Sequence, residues 1–341
     1  AMDLRFPPPL AHGSLVGITS PSSGASGVLQ PRVDAALQAI HQHGLQTRVG
    51  ECMNGDGHVS APVAQRAAEF QAMLLDPEIQ AIVPPWGGET CIDLIPHLDW
   101  DAIAAAEPTW VVGFSDISTL LAPLTLRAGW ATIHGNNLMD TPYTAPDGLV
   151  DWLDIITMPT GTTFTQISPN AHRQNFVDYV EHPEVDTYEL ETPSRWERWD
   201  QPDQDLAVKG RLIGGCIDTI AHLAGTSYLD TTSLATDGEG LLVYVEAASE
   251  NAGCIARSLH GMRLNGFFNQ ANAILVGRTY APNIPGLTQK DAVLDALTPL
   301  GVPIIGGVDC GHWAPYMPLV NGAMAVVEHD STSSMIHQTL A

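Results

Sequence analysis

The feature that most constrains the fold is an alternation of apolar strand-like segments and helix-like segments in the first half of the chain. The strand-like segments are "LVGITSPS", "QTRVGE", "IQAIVPPWGG" and "WVVGFS", and helical patterns such as "PRVDAALQAIHQHG" and "APVAQRAAEFQAMLLD" alternate with them. Apolar strands separated by helices predict a parallel sheet that is covered on both faces. Ligands of such sheets bind at the carboxyl ends of the strands, where "SPSSG", "PWGGET" and "GFSD" fall.

A turn-rich and then acidic segment divides the chain into two parts. The length agrees with this division, because 341 residues exceed the usual size of a single domain. We predict an α/β protein with a flavodoxin-like parallel-sheet domain over residues 1–165 and a smaller mixed α/β domain over 206–341. Residues 166–205 between them are predicted to form a linker with an inserted loop that carries Trp196 and Trp199.

The charge of the chain disfavours a polyanionic partner. The sequence has 38 acidic and 14 basic residues and a formal net charge of -24, so no basic stripe can displace counterions from nucleic acid. No apolar run approaches the roughly 20 residues that span a bilayer, and "AMDLRFPPPL" lacks the basic start and apolar core of a signal peptide. We therefore expect a cytoplasmic protein with no nucleic acid partner and no membrane contact.

The spacing of cysteines and histidines predicts neither a disulfide framework nor a metal site. The five cysteines, an odd number, are scattered without a C-x-x-C spacing. His41 and His43 are two positions apart on a predicted helix and therefore do not face the same ligand. We expect no metal and no cofactor, so any chemistry must come from side chains.

Ser115 lies where an apolar strand passes directly into a helix-like pattern, in "TWVVGFSDIST". A serine on such a sharp turn exposes its hydroxyl, and the following helix N-terminus directs amide hydrogens at a developing oxyanion. We predict that Ser115 is a nucleophile with strained backbone angles. The alternative is that Ser115 merely caps the helix. The hydrolase pattern G-x-S-x-G is not met, because Ile117 stands where the second glycine would be.

Two other strand ends carry the remaining groups that a serine nucleophile needs. Glu246 ends the apolar segment "LLVYVEAASE", and His312 follows the segment "IIGGVDCGHW". A serine needs a base to accept its proton, and an imidazole needs an acceptor that fixes its tautomer. The alternatives are a solvated strand-end acid for Glu246 and a packed loop histidine for His312.

These motifs together resemble the serine peptidases of the LD-carboxypeptidase family, which include the microcin C immunity proteins. The resemblance covers nearly the whole chain. It is carried by "GITSPSS", "PPWGGETCIDLIPHLDWDAI", "VVGFSDISTLL", "GRLIGGCIDTIAHLAGT", "LLVYVEAASE" and "GVDCGHWAPYMPLVNG". The resemblance implies a catalytic triad of Ser115, Glu246 and His312, with the nucleophile in the N-terminal domain, and it implies a homodimer.

The glycine pair in "PPWGGET" is predicted to border the reacting group. The resemblance implies an oxyanion hole made of the backbone amide of Asp116 and an amide of Gly87 or Gly88, and we favour Gly88. Glycine permits the close backbone approach that an oxyanion needs. An ordinary turn is the alternative for the pair. We assign Trp86 and Gly87 to the substrate-binding surface.

The segment "SRWERWD" resembles the tryptophan-bearing loop of the microcin-immunity branch, in which an aromatic ring stacks on a nucleotide. We therefore predict that Trp196 and Trp199 contact substrate. The alternative is that both rings pack the loop onto its own domain or onto a partner subunit. The predicted function is hydrolysis of an amide bond in a small peptide-like substrate, specifically a peptidyl-nucleotide. The alternatives are a muropeptide LD-carboxypeptidase that releases terminal D-alanine and a non-catalytic small-molecule binding protein.

Overall fold

A computed structural model of the protein describes residues 3–25, 27–55 and 58–341. Strands and helices alternate in the first half, as predicted from the sequence. Helix α1 has proline in its first turn, where a missing amide hydrogen is tolerated. The elements are β1 (Leu15–Ile18), α1 (Gln30–Gln42), β2 (Gln46–Val49), α2 (Val63–Leu75), β3 (Ile79–Val83), α3 (Trp100–Ala105), β4 (Trp110–Gly113), α4 (Ser118–Leu126), β5 (Thr132–His134) and α5 (Trp152–Ile155).

Strands β1 to β5 form a parallel sheet in the order β2-β1-β3-β4-β5. This is the flavodoxin-like order, so the predicted fold of the N-terminal domain is confirmed. One apolar cluster covers the α1 face of the sheet, and a second lies under α2 and α4 on the other face. The carboxyl ends of β1, β3, β4 and β5 meet at one edge, which places the turns that follow them side by side.

The second half builds a larger mixed sheet. In the part of the chain that the structure describes, its order is β6-β16-β15-β10-β11-β12-β13-β9, and β10 to β13 run parallel. These elements are β6 (Thr163–Ile167), β7 (Ala171–His172), β8 (Thr192–Pro193), β9 (Glu197–Arg198), β10 (Leu206–Cys216), α6 (Ile217–Ile220), β11 (Leu241–Glu246), α7 (Ala252–Leu264), β12 (Ala271–Arg278), α8 (Gln289–Leu297), β13 (Ile304–Gly311), β14 (Leu319–Asn321), β15 (Met324–His329) and β16 (Ser334–Thr339).

Burial explains why the parallel strands of this sheet are apolar throughout. All six residues of β11, from Leu241 to Glu246, are buried, because α7 and α8 cover one face and a separate apolar cluster covers the other. Each large apolar side chain buried in this way contributes about 1.5–3 kcal/mol. The side chain of Asn251 caps α7 by accepting a hydrogen bond from the Cys254 amide at 3.0 Å.

The predicted domain boundaries need two corrections. Residues 163–167 form β6 and pair with β16 of the C-terminal sheet, so the predicted boundary after residue 165 falls inside a strand. The predicted linker over 166–205 also contains β7, β8 and β9, and β9 pairs with β13. In addition, β14 leaves the C-terminal half and joins the N-terminal sheet antiparallel to β5. Both boundaries follow from strand pairing between segments that are distant in sequence. A local sequence pattern does not predict such pairing.

Across the residues placed in the structure, no helix combines the length and apolar character needed to cross a bilayer.

Candidate active site

The turn after β4 holds Ser115 in an unusual backbone conformation. Phe114 is extended, Ser115 has φ +62°, and residues 115–117 form one 3-10 turn before α4 begins. A positive φ is rare for a residue with a side chain and costs on the order of 1–3 kcal/mol. The predicted strain at Ser115 is confirmed. The helix cap offered as the alternative is not formed, because Ser115 Oγ lies against an imidazole instead.

Ser115, His312 and Glu246 form a continuous chain of hydrogen bonds across the two domains. His312 Nε2 lies 3.0 Å from Ser115 Oγ, and His312 Nδ1 lies 3.1 Å from Glu246 Oε2. Glu246 ends β11 and is completely buried, whereas His312 directly follows β13. A carboxylate only accepts hydrogen bonds, so His312 Nδ1 donates to it. This tautomer leaves Nε2 free to accept the proton of Ser115.

Within this chain of hydrogen bonds, Glu246 and His312 shift each other's pKa values towards the charged forms. Burial raises the pKa of the Glu246 carboxyl, but the neighbouring imidazoles of His312 and His134 outweigh that effect and lower the pKa to about 2. Burial lowers the pKa of His312, and the Glu246 carboxylate outweighs it, so the net shift is upward. Glu246 is therefore ionised at neutral pH, and it stabilises a positive charge on His312.

His134 is a site residue that the sequence analysis missed. It is the last residue of β5, it is buried, and its Nε2 lies 3.2 Å from Glu246 Oε1. The signal that could have found it is the one that pointed to Glu246, a polar residue at the end of an apolar strand, here in "ATIHGNN". With 13 histidines in the chain, the residue type alone does not distinguish it.

The glycine pair after β3 lies against the Ser115 turn, as predicted. A Cβ atom on Gly87 would lie 3.0 Å from the Asp116 amide nitrogen and 3.2 Å from Ser115 Cβ, so only glycine fits without a shift. Gly88 has φ +148°, which favours glycine. The Asp116 carboxylate accepts hydrogen bonds from Ser22 Oγ at 2.7 Å and from the Cys91 amide at 2.9 Å, which fixes the turn.

A cleft of about 580 Å³ opens on one side of Ser115 and has an acidic end. Glu89, Asp218 and Glu250 line it, and neither lysine nor arginine is among its described lining residues. Asp218 accepts hydrogen bonds from the backbone amides of residues 248–250, each at 2.9 Å. Burial and the charge of Asp218 raise the pKa of Glu250. These three carboxyl groups thus lie in one cleft with two imidazoles, those of His222 and His312.

A second pocket opens on the other side of Ser115. Its lining includes Trp86, Gly87, Phe114 and Asn137, so the structure places both Trp86 and Gly87 beside the serine. Trp86 Nε1 donates to the Gly24 carbonyl oxygen at 3.2 Å, which holds the indole across the turn after β1. The Ser115 hydroxyl thus stands between an acidic cleft and an aromatic pocket.

The prediction that Trp196 and Trp199 contact substrate is wrong in this structure. Trp196 is 1% exposed, and its Nε1 donates to Asp309 Oδ2 at 2.8 Å. The Trp199 ring packs against the C-terminal core and leaves no room for a side chain at Gly306. Pairing of β9 with β13 brings both rings to that edge of the sheet. The alternative, packing of the loop onto its own domain, is what the structure shows.

A different aromatic group lies at the cleft. We call Phe176, Tyr280 and Trp313 the aromatic rim. Tyr280 lines the cleft, and its ring centroid is 5.8 Å from that of His312. The Trp313 and Phe176 centroids lie 5.1 Å from that of Tyr280, and Phe176 is 61% exposed. Three distant segments thus supply an aromatic surface next to the imidazole.

Comparison with known proteins identifies the family of the chain. The family model of the LD-carboxypeptidase N-terminal domain matches residues 16–135, and that of the C-terminal domain matches residues 209–327. The chain belongs to the LD-carboxypeptidase family of serine peptidases. Family membership places it among hydrolases and confirms the resemblance found in the sequence motifs.

Curated members of the family are similar to the chain over nearly its whole length or over part of it. The microcin C7 self-immunity protein MccF of Escherichia coli is 24% identical over 337 residues, which cover 96% of this chain and 94% of that protein. The murein tetrapeptide carboxypeptidase of Pseudomonas aeruginosa is 32% identical over 126 residues, 36% of this chain and 41% of that protein.

Solved structures share the fold. A variant of MccF in complex with adenosine monophosphate superposes with a TM-score of 0.79 at 22% identity, covering 98% of both chains. An MccF-like protein from Streptococcus pneumoniae in complex with AMP superposes with a TM-score of 0.75 at 18% identity, covering 96% of this chain and 99% of that one. These likenesses agree with the two-domain α/β architecture.

Proposed function

We propose that the protein is a serine amidase in which Ser115, His312 and Glu246 act as a catalytic triad. The hydrogen-bond chain from Ser115 Oγ through His312 to buried Glu246 carries this proposal. His312 accepts the proton as Ser115 Oγ attacks the amide carbonyl, and it then donates that proton to the departing amine. Glu246 orients His312 and stabilises its positive charge. In the second half of the reaction, His312 accepts a proton from the water that attacks the acyl-enzyme, and it returns that proton to Ser115 Oγ as the carboxylic acid departs.

The tetrahedral oxyanion would be held by the backbone amides of Gly88 and Asp116. Support comes from the tight approach of the Gly87–Gly88 segment to the Ser115 turn. The anchoring of the Asp116 carboxylate also supports it, because a rigid turn keeps donors aimed at the place where charge develops.

The substrate that we propose is a small peptide-like amide whose leaving group is a nucleotide. Two observations support this class. Related proteins, MccF and an MccF-like protein, were solved with adenosine monophosphate. In this chain, the aromatic rim offers Tyr280 beside His312 as a stacking surface, in place of Trp196 and Trp199, which pack onto the C-terminal domain. Stacking on a base is worth roughly 1–3 kcal/mol.

A second candidate is a muropeptide LD-carboxypeptidase that releases terminal D-alanine. The 32% identity to the Pseudomonas aeruginosa murein tetrapeptide carboxypeptidase over 126 residues favours it. A non-catalytic binding protein is the alternative of another class, and family membership makes the hydrolase the better proposal.

The enzyme proposal is tested by labelling the intact protein with a fluorophosphonate probe. We expect labelling of the wild-type protein and none of Ser115→Ala. Substrate class is then tested by comparing an aspartyl-adenylate-like amide with a muropeptide tetrapeptide. Faster turnover of the nucleotide amide supports the first candidate, efficient release of D-alanine supports the second, and binding without labelling or turnover supports the binding protein.

We further propose that the enzyme is a cytoplasmic homodimer that acts without metal or cofactor. Light scattering during size-exclusion chromatography tests the dimer, and a monomeric mass would contradict it. Activity that is lost in EDTA and restored by zinc would contradict the metal-free mechanism.

A further inference from the structure

The buried carboxylate of Glu246 is bonded to two different imidazoles. Oε2 lies 3.1 Å from His312 Nδ1, and Oε1 lies 3.2 Å from His134 Nε2. Glu246 is 0% exposed and His134 is 2% exposed, so the bond between them lies away from bulk solvent. The proposed mechanism uses the bond to His312 and leaves the bond to His134 without a role.

His134 is held so that its Nε2 can face only this carboxylate. It ends β5, where its backbone is paired with Leu319 of β14. Its ring packs edge-on to Tyr244 at 5.1 Å and to Phe114 at 6.3 Å between centroids. Because a carboxylate only accepts hydrogen bonds, His134 presents Nε2–H to Oε1. Ring packing and strand pairing thus fix a donor that belongs to the N-terminal domain.

We propose that His134 is a positioning residue for Glu246. Its donor fixes the rotation of the carboxylate about its own axis, so that Oε2 meets His312 Nδ1 in the geometry that proton transfer needs. The proposal rests on the triad proposed above. Without this donor, Oε1 is buried and has no hydrogen-bond partner. The carboxylate can then rotate, and rotation lengthens or misaligns the hydrogen bond between Oε2 and His312 Nδ1.

The role of His134 predicts a loss in kcat rather than in substrate binding. His134 touches Glu246 and does not line the cleft or the second pocket. A hydrogen bond to a charged group corresponds to about a 10- to 100-fold effect on a rate. We expect His134→Leu to lower kcat by about 10- to 100-fold and to leave KM within about twofold.

The decisive comparison is between His134→Gln and His134→Asn. The Gln amide nitrogen can occupy the position of Nε2, whereas the shorter Asn side chain ends near the position of Nδ1 and does not reach Oε1. We expect Gln to restore most of kcat and Asn to behave like Leu. This pair keeps the test valid if His134→Leu fails to fold, because both variants retain a polar side chain.

Thr132→Val is a matched structural control. Thr132 lies two residues earlier on β5, is equally buried, and bonds to Thr125 and Asn321 rather than to Glu246. We expect this variant to lower the melting temperature and to keep kcat. Equal kcat in wild type, His134→Leu and His134→Asn, or equal losses in His134→Gln, His134→Asn and Thr132→Val, would overturn the proposal. Failure of the triad itself is recognised separately, because Ser115→Ala would then keep turnover.

Discussion

The two domains contribute to the cleft in different ways. The N-terminal domain supplies backbone: a serine at φ +62°, and a glycine, Gly87, so close to the Asp116 amide that an added Cβ would lie 3.0 Å from its nitrogen. The C-terminal domain supplies a carboxylate and an imidazole, Glu246 and His312, at the ends of β11 and β13, the two strands that flank β12 in the sheet. One half of the site therefore depends on strain and close packing, and the other half depends on burial and charge.

The largest effect is expected from Ser115→Ala. Loss of the nucleophile should lower kcat by about 10⁶-fold, because only binding and oxyanion stabilisation remain. The melting temperature should change little, since alanine keeps the strained φ. Ser115→Gly should be equally inactive but more stable by about 1 kcal/mol, because glycine relieves the strain. Turnover assays and thermal melts check both, and equal stability of the two variants would mean that the turn holds no strain.

Gly87→Ala tests the backbone half of the comparison. The added Cβ would press on the Asp116 amide and the Ser115 side chain, so the proposed oxyanion donors should move. We expect kcat/KM to fall by about 10²- to 10³-fold, as for loss of one oxyanion donor.

A matched control for that substitution is Gly261→Ala in α7, where a Cβ would meet nothing within 4 Å. This variant should keep full activity and gain up to about 1 kcal/mol in stability, because alanine favours a helix. Full activity of Gly87→Ala would refute the importance of this close approach.

The next largest effect is expected from a substitution in the aromatic rim, and it should appear in KM. Tyr280→Ala should raise KM for an aspartyl-adenylate-like amide by about 5- to 150-fold if its ring stacks on the base. Trp199→Ala should leave KM unchanged and lower the melting temperature, because that ring packs on the C-terminal core. Hydrolysis of a plain LD-dipeptide is the reference for both variants. A KM effect confined to Trp199→Ala would restore the original assignment of the tryptophan loop.

The smallest effect is expected in the pH dependence of kcat/KM, which tests the pair Glu246 and His312 of the C-terminal domain. Because the pKa of His312 lies above its ordinary value of 6.5, its basic form is lost as pH falls through that raised value. We expect kcat/KM to decline about tenfold per pH unit below it. Three carboxylates raise the pKa of His312: Glu246, which contacts it, and the more distant Asp218 and Asp140. The position of the acid limb therefore depends on all three. In Glu246→Gln the limb should move to lower pH, and an unmoved limb would assign it to another group.

Local patterns predicted much of the fold and the core of the site. Strands β1, β3 and β4 and helices α1 and α2 were predicted because their periodicity is local. Ser115, Glu246 and His312 were found because each ends an apolar strand, where a polar residue has no packing role. Their meeting was implied by family resemblance rather than by spacing.

The missed features depend on pairing between distant segments. Strand β14 has only three residues, and both β14 and β16 are defined by their partners β5 and β15. Burial of Trp196 follows from a two-residue edge strand, and the aromatic rim joins residues 176, 280 and 313. His134 follows the strand-end rule, but its partner is more than a hundred positions away along the chain. No local pattern contains that information.

The antiparallel strand β14 has a consequence for the order in which the protein forms. Residues 319–321 complete the edge of the N-terminal sheet, and buried Asn321 bonds to Thr132 of β5 and to Tyr244 of β11. During synthesis, β5 therefore leaves the ribosome long before its outer neighbour exists. Until then its edge is open to pairing with another chain. The nascent N-terminal half therefore leaves the outer edge of β5, which includes His134, unpaired until residues 319–321 have been translated.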